Sequence, residues 1–324
     1  MTRAGGMAAA ALAAATLLGP AASFAGVGDA GQSVAGFLAV PAGAAAPGMG
    51  GATLAYGGDL AAGFANPAAL GWVPGVAMAL SHAELPDGSR QEWGSAGGKV
   101  GIARTRWAIS GLYADQGTFE GRDAFNQPTG TFSASSFAVA AALAQPLGRH
   151  LSLGIATKFV SDDLGVSTGS GVTFDAGLIA RAGPLSVGAS AQNVGGSMTY
   201  GSVGYDFPTS YGLGISFDHR SGVRIELDAN SPLDYYDELR GGIEYCWHDH
   251  FALRVGYRYE VGADAATESI GGPSFGLGAG LGGLWLDYAY LPSTVGESEQ
   301  RLGIALRPGG AGPTSGGFSA KRPR

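Results

Sequence analysis

The chain has 324 residues, and only 14% of them are charged, against roughly 25% in soluble domains. Its formal charge of −7 excludes a nucleic-acid surface built on basic patches. A single cysteine, Cys246, excludes an internal disulfide and a multi-cysteine metal site. Glycine reaches 58 residues, yet hydrophobic residues make up 45%, too many for a disordered glycine-rich chain.

In chain order, residues 1–25 read as a signal peptide. Arg3 gives a positive start, Met7 to Leu18 an apolar run, and Gly19-Pro20 a break. Ser23-Phe24-Ala25 then puts small residues where a signal peptidase reads, so Gly26 is the expected first residue of the exported chain. Residues 26–72 are small and nearly uncharged and end in GFANPAALGW. Proline lacks an N–H and forces the preceding residue into an extended conformation, so Asn66-Pro67 marks a corner between two kinds of structure.

From Gly75 onward the apolar pattern has period two. In Phe251 to Glu260, Phe251, Leu253, Val255, Tyr257 and Tyr259 share one face and Ala252, Arg254, Gly256, Arg258 and Glu260 the other. Val223 to Asn230 and Leu239 to His248 repeat the plan. About fourteen strands are expected, beginning near Val76, Glu92, Arg106, Thr131, Leu151, Val172, Leu185, Thr209, Val223, Leu239, Phe251, Ser274, Leu284 and Gln300. Their connections alternate. ELPDGSRQ, DQGTFEGRDAFNQPTG and GGSMTYGSVGYDFP are long; ARTR, PLGRH, AGP and HDH are short.

Long outer loops and short periplasmic turns point to an all-β, transmembrane outer-membrane β-barrel over residues 73–308 rather than a sandwich. An even strand number puts both termini on the periplasmic side. Residues 309–324, ending AKRPR, read as a disordered periplasmic tail. Trp72, Trp93, Trp107 and Trp247 fall near expected strand ends, where aromatic girdles sit.

The same alternation assigns the interior. Early strands turn small residues inward: Ala108, Ser110, Ala114 and Gly154. Later strands turn charges inward: Asp175, Arg224, Glu226, Arg240, Glu244, Arg254, Arg258, Asp287 and Arg301. Both signs occur, so either mutual salt bridges or a selective pore follows. Leu253 and Tyr257 are expected to face lipid, and a charge at Leu253 to cost more in folding than replacing Arg254 by another polar residue. Three motif matches carry no chemistry. Gly278-Ala279-Gly280-Leu281-Gly282-Gly283 opens no helix, Gly272-Pro273-Ser274-Phe275-Gly276 lacks a nucleophile elbow, and His248-Asp249-His250 occupies a turn. No catalytic constellation, cofactor site or metal site is expected.

Gly48-Met49-Gly50-Gly51-Ala52, with Asp59, Phe64 and Asn66-Pro67-Ala68, resembles the N-terminal signature of the PorV/PorQ outer-membrane proteins, relatives of the FadL-type fatty-acid transporters. GIEYCWHDHFALRVGYRYE (242–260) and FGLGAGLGGLWLDYAYLP (275–292) resemble that family's last strands. The resemblance implies a fourteen-strand barrel whose N-terminal segment, 26–72, is a hatch inside the lumen. Gly48, Gly50, Gly51, Asp59, Asn66 and Pro67 are its motif residues. Ala45 stands where that family usually has Arg, and Gly58 where it often has a second acidic residue. The resemblance implies an accessory of type IX-like protein secretion, with exported proteins and secretion components as partners. The alternative is a FadL-like channel for hydrophobic small molecules, and in both readings outer-membrane lipid surrounds the wall.

Overall fold

The structure is a computed structural model, and it describes residues 33–307 apart from 102–103, 166, 264–270 and 294–295. The expected signal peptide and C-terminal tail lie outside the described residues. The wall begins with β1 (Ala77–Glu84), β2 (Arg90–Lys99), β3 (Arg106–Arg122), β4 (Pro128–Leu147), β5 (Leu151–Asp163), β6 (Thr168–Ala182) and β7 (Leu185–Val194). A small hairpin, β8 (Met198–Tyr200) and β9 (Val203–Tyr205), interrupts it. It resumes with β10 (Ser210–Asp218), β11 (Val223–Pro232), β12 (Glu238–Trp247), β13 (Phe251–Glu260), β14 (Gly272–Leu281), β15 (Leu284–Leu291) and β16 (Glu299–Leu306).

All wall neighbours are antiparallel, and the ladder has no free edge. β1 pairs with both β2 and β16, through Ala77↔Gly97 and Met78↔Leu306, and β7 pairs with β10 across the interrupting hairpin. Fourteen strands therefore form a closed barrel, with β8 and β9 laid on the end of β6 through Gly169↔Tyr200. Closure pairs the backbone groups that lipid would leave unsatisfied.

Side-chain facing follows the period-two pattern. On β13 the outward residues Phe251, Leu253, Val255, Tyr257 and Tyr259 are each more than half exposed, while Ala252 and Arg254 between them are buried. The outward face of β11 is Ile225 and Leu227, and its inward face is Arg224, Glu226 and Asp228. An apolar belt of this extent belongs against hydrocarbon.

The connections sort by end, although several differ from their expected form. One end carries short turns such as 148–150, 183–184 and 248–250. At the other end, residues 115–130, expected as a loop, instead continue β3 and β4 as a hairpin projecting beyond the wall. Thr118, Phe119, Thr131 and Phe132 are strand formers, and Phe119 stacks on Phe132 with ring centroids 5.6 Å apart. The tip is tied by Asp123, whose carboxylate accepts from the Phe125 and Gln127 amides. The expected loop GGSMTYGSVGYDFP contains β8 and β9 and turns Met198 and Phe207 into the apolar cluster around Phe37 and Phe64.

The tryptophans also divide. Trp247 is exposed on the outer face at a strand end, and Trp107 shares the outward face of Ile109. Trp93, expected at a girdle, is buried inside, where its ring meets Phe64 edge-on at 6.4 Å. Trp72, expected likewise, lies in a 3₁₀ turn beneath the Arg181 guanidinium, 3.9 Å away. The lumen holds apolar chain for both rings to pack on, which alternation alone does not register.

Residues 33–73 run through the lumen. Ser33 donates to Asp234, and the Val34 amide donates to the Asp206 carbonyl (3.1 Å), both at the long-connection end. The segment then passes Gly57, whose carbonyl accepts from Arg181 at 3.0 Å near the short turns. α1 (Leu60–Ala65) climbs from Gly97 toward Trp93. A 3₁₀ turn, Pro67–Trp72, leads back, and Arg106 Nε donates to the Val73 carbonyl at 3.0 Å just before β1. The described chain thus starts at the end opposite to Leu306-Arg307, where β16 finishes beside the short turns.

Val255 lies midway along β13 on the lipid face, and Trp247 at the strand end. Val255→Arg is expected to destabilise the barrel by about 2–4 kcal/mol and Trp247→Arg by about 1 kcal/mol or less. Urea titration of protein refolded into lipid vesicles checks the ranking, and equal costs would mean that the belt is not centred on Val255.

Candidate functional site

The lumen has two unlike walls. Along β2 to β5 it is lined by Ala108, Ser110, Ala114, Ala138, Ala140 and Gly154, and the N-terminal segment packs there through Leu60, Phe64 and Leu70. Along β10 to β16 it is lined by charge.

That charge is ordered by register. Arg224 sits opposite Glu244, and Glu244 opposite Arg254, so adjacent strands present alternating signs at one level. Arg224 Nε bonds Asp218 at 2.7 Å and its Nη1 meets Glu244 at 3.3 Å. Arg254 Nε bonds Glu244 at 2.6 Å, and its Nη1 reaches across β14 to Asp287 at 2.7 Å. Gly276 and Gly278 leave the room for that reach, since a Cβ on Gly278 would sit 3.1 Å from Arg254 Nη1. Arg254 is 2% exposed, so its loss leaves Asp287 without its cation in the relay and Glu244 with Arg224 alone there.

A second charged level lies nearer the long connections. Arg240 and Arg258 face each other, with Glu238 and Glu260 as the next opposed pair. Glu238 accepts from Arg240 Nη2 and stands 3.4 Å from Arg258 Nε, while Glu260 accepts from Arg258 Nη2 at 2.7 Å. Asp175 pairs with Lys158 at 2.8 Å and accepts from the Asn193 amide at 2.8 Å. Glu226 is buried, and among the described residues its Oε1 meets no hydrogen-bond partner.

The other sequence-derived residues lie on the segment or hold it. Gly48 lies against Gly276. Gly50 has φ +71, donates to Ser274 Oγ at 2.8 Å, and crosses β13 at Gly256, where a Cβ would fall 2.1 Å from its nitrogen. Gly51 has φ +81, with the Arg240 side chain beside it. Ser274, set aside as a nucleophile, thus serves as an acceptor for the segment. Asp59 caps α1, accepting from Ala61 and Ala62 at 2.7 and 3.1 Å, while its other oxygen takes Arg307 Nη2 at 2.5 Å. Arg301 donates to the Pro41 and Gly43 carbonyls.

Asn66 is fully buried, and its side chain donates to the Leu54 carbonyl at 2.7 Å and the Ala189 carbonyl at 3.3 Å. Its Oδ1 accepts from the Ala68 amide at 3.1 Å, with Pro67 opening the 3₁₀ turn. This crossing rests on Gly177, where a Cβ would lie 1.9 Å from Asn66 Oδ1.

Several residues of the interior went unread in the sequence. Lys158 is 1% exposed and lies 4.7 Å over the Phe64 ring, and the alternation of Ile155, Thr157 and Phe159 around it was the available signal. Tyr56 takes the Arg224 guanidinium on its ring at 3.9 Å. Burial pushes the Tyr56 hydroxyl up from its ordinary value, so it stays neutral beside these charges.

Two interior spaces bear on the segment among the described residues. The larger, about 430 Å³, opens among the long connections, with Leu38, Pro41, Leu54 and Phe64 on one side and Glu238, Arg240 and Arg258 on the other. The smaller, about 40 Å³, lies beneath it among Met49, Tyr56, Asp59, Glu226 and Arg307. Ala46, Thr53 and Ala61 line both, so the segment itself is the partition. A third concavity, about 740 Å³, is lined by the lipid-facing Leu80, Tyr113, Phe137 and Ile304 around Gly94 and Gly111, and it belongs mainly to the outer belt. Among the described residues no three His, Cys, Asp or Glu side chains cluster to hold a metal.

No family model matches the sequence, and no curated protein matches it. Solved structures do. The toluene transporter TbuX of Ralstonia pickettii is 15% identical with a TM-score of 0.58, covering 82% of this chain and 98% of that one. A Pseudomonas aeruginosa FadL homologue is 12% identical with a TM-score of 0.58, covering 83% and 99%. The deltaS2 mutant of the monoaromatic hydrocarbon channel TodX is 13% identical with a TM-score of 0.52, covering 82% and 97%. At these identities the likeness is one of fold. The chain has the fold of the FadL-type outer-membrane barrels, and nothing in these likenesses is specific to PorV/PorQ.

Arg254→Gln is expected to cost about 3 kcal/mol, because Asp287 loses its cation and Glu244 keeps Arg224 in place of two arginines. This removes the ranking expected from facing alone, in which Arg254 was the cheaper position. Adding Glu244→Gln and Asp287→Asn should recover much of the loss. Urea midpoints of the single and triple variants decide it, and a triple variant weaker than the single would refute the relay.

Proposed function

We propose that this chain is an outer-membrane channel for small hydrophobic molecules, with residues 26–72 acting as its hatch. The observation that carries the reading is the cavity of about 430 Å³ at the long-connection end, half apolar and floored by the segment itself. Ligand pockets fall around 300–1,000 Å³, so one ring-sized or short-chain solute fits. A solute seated on Leu38, Leu54 and Phe64 meets the apolar side of the partition, and passage requires the segment to shift. The three similar structures are described as a toluene transporter, a monoaromatic hydrocarbon channel and a FadL homologue, which favours this reading over the secretion accessory. The short turns then face the periplasm and the projecting β3–β4 hairpin faces outward.

The hatch is held by contacts that substitution can release without touching the wall. Asn66→Leu removes the bonds to Leu54 and Ala189, and Pro67→Ala loosens the turn behind it. The double variant is expected to fold and to conduct several-fold more in planar bilayers, approaching a variant deleted for residues 43–61. Conductance unchanged from the parent in the folded double variant would leave Asn66-Pro67 a corner with no part in gating.

A further inference from the structure

We infer that the outer cavity is a charge filter, one that accepts neutral and cationic apolar solutes and turns away carboxylates, and that Glu238 is the residue that sets this preference. The inference rests on the channel reading above and names its substrate class.

A cavity that binds a carboxylate needs a cation free to meet it. Among the described residues, the charged side chains lining this one are Asp87, Asp234, Glu238 and Glu299 against Arg240 and Arg258. Each guanidinium already faces a carboxylate among the described residues, although neither Nε makes a hydrogen bond there. Arg258 is held by Glu260 at 2.7 Å and lies 3.4 Å from Glu238. Arg240 is paired with Glu238, and Asp228, opposite it on β11, accepts from the Thr53 and Leu54 amides at 2.6 and 3.0 Å through one oxygen. Glu238 is itself 5% exposed and fixed by the Asn230 side-chain amide at 3.2 Å, so it cannot swing aside for an incoming anion.

Of the remaining carboxylates, Asp87 accepts from Ser89, Asp234 from Ser33 and Glu299 from Arg301, each through one oxygen. What a solute meets is therefore an apolar floor and a rim with two more negative charges than positive ones. An anionic head placed there is repelled by the excess of carboxylates and must compete with Glu238 and Glu260 for the guanidinium donors. A hydroxyl or an ammonium meets carboxylate acceptors instead. The mixed-sign appearance of the sequence conceals this, because pairing with Glu238 and Glu260 offsets the two arginines.

The test uses the full chain in amphipol and three probes of one size: 4-methylbenzyl alcohol, 4-methylbenzylammonium and 4-methylbenzoate. Binding is measured calorimetrically at pH 7.5 and low salt. The parent is expected to bind the alcohol and the ammonium and to bind the benzoate at least tenfold more weakly. Glu238→Gln relieves Arg240 of its carboxylate, so benzoate affinity should rise about tenfold relative to that for the alcohol. Heat-modifiable migration on gels establishes that the variant is folded. A measurement on the parent alone guards against a variant that fails to fold. Raising the salt from about 0.05 to 0.5 M should narrow the gap between benzoate and alcohol, since screening weakens repulsion. A parent that binds benzoate as well as alcohol, or a folded Glu238→Gln that gains none, overturns the filter and leaves the channel reading standing. A parent that binds none of the three overturns both.

Discussion

A sheet in hydrocarbon must end where it began, because an unpaired N–H or C=O has no water to turn to. Here that requirement is met at Met78↔Leu306, and the rest of the interior answers to it. Once fourteen strands close, every second residue is committed to a lumen of fixed width. The outer face needs only apolar bulk, and the belt from Ile225 to Tyr259 supplies it. The inner face must be filled, paired or left hollow, and this chain does all three.

Filling falls to residues 33–73, and the wall is shaped to receive them. Where the segment crosses, the strands offer Gly154 and Gly256, so backbone lies directly on backbone. Pairing falls to the wall from β10 to β16, where alternating charges at one level neutralise each other across neighbouring strands. The hollow is what remains between segment and long connections. The three solutions are mutually dependent: Arg240, Arg301 and Arg307 belong to the wall, yet two of them bond the segment directly, to Asp59 and to the Pro41 carbonyl.

The wall was legible because its signals are local. Strands expected to begin at Arg106, Leu151, Leu185, Val223, Phe251 and Leu284 begin there, and each of them follows a short turn. Those after long connections start one to four residues away from expectation, as at Thr131 against Pro128 and Val172 against Thr168. A two- or three-residue turn leaves the chain one way to reverse, whereas a long connection lets strand formers such as Phe119 and Phe132 go on pairing past the membrane. Partners inside the lumen were less legible. Alternation tells which way Arg254 or Trp93 points, but not that Arg254 spans to Asp287 or that Phe64 waits for Trp93. Those meetings depend on a closure spanning more than two hundred residues and on a segment without any periodic signal of its own.

The described chain enters the barrel among the long connections and leaves it among the short ones, with its first forty residues enclosed. That arrangement orders assembly in time. The seam between β1 and β16 joins residues far apart in sequence, and such pairings form late. By the moment it zips, the segment must already lie across the half-built trough, because afterwards the only ways in are the two narrow mouths. A released segment and a misthreaded one would therefore be different molecules: the first able to return, the second locked outside a wall that has already closed.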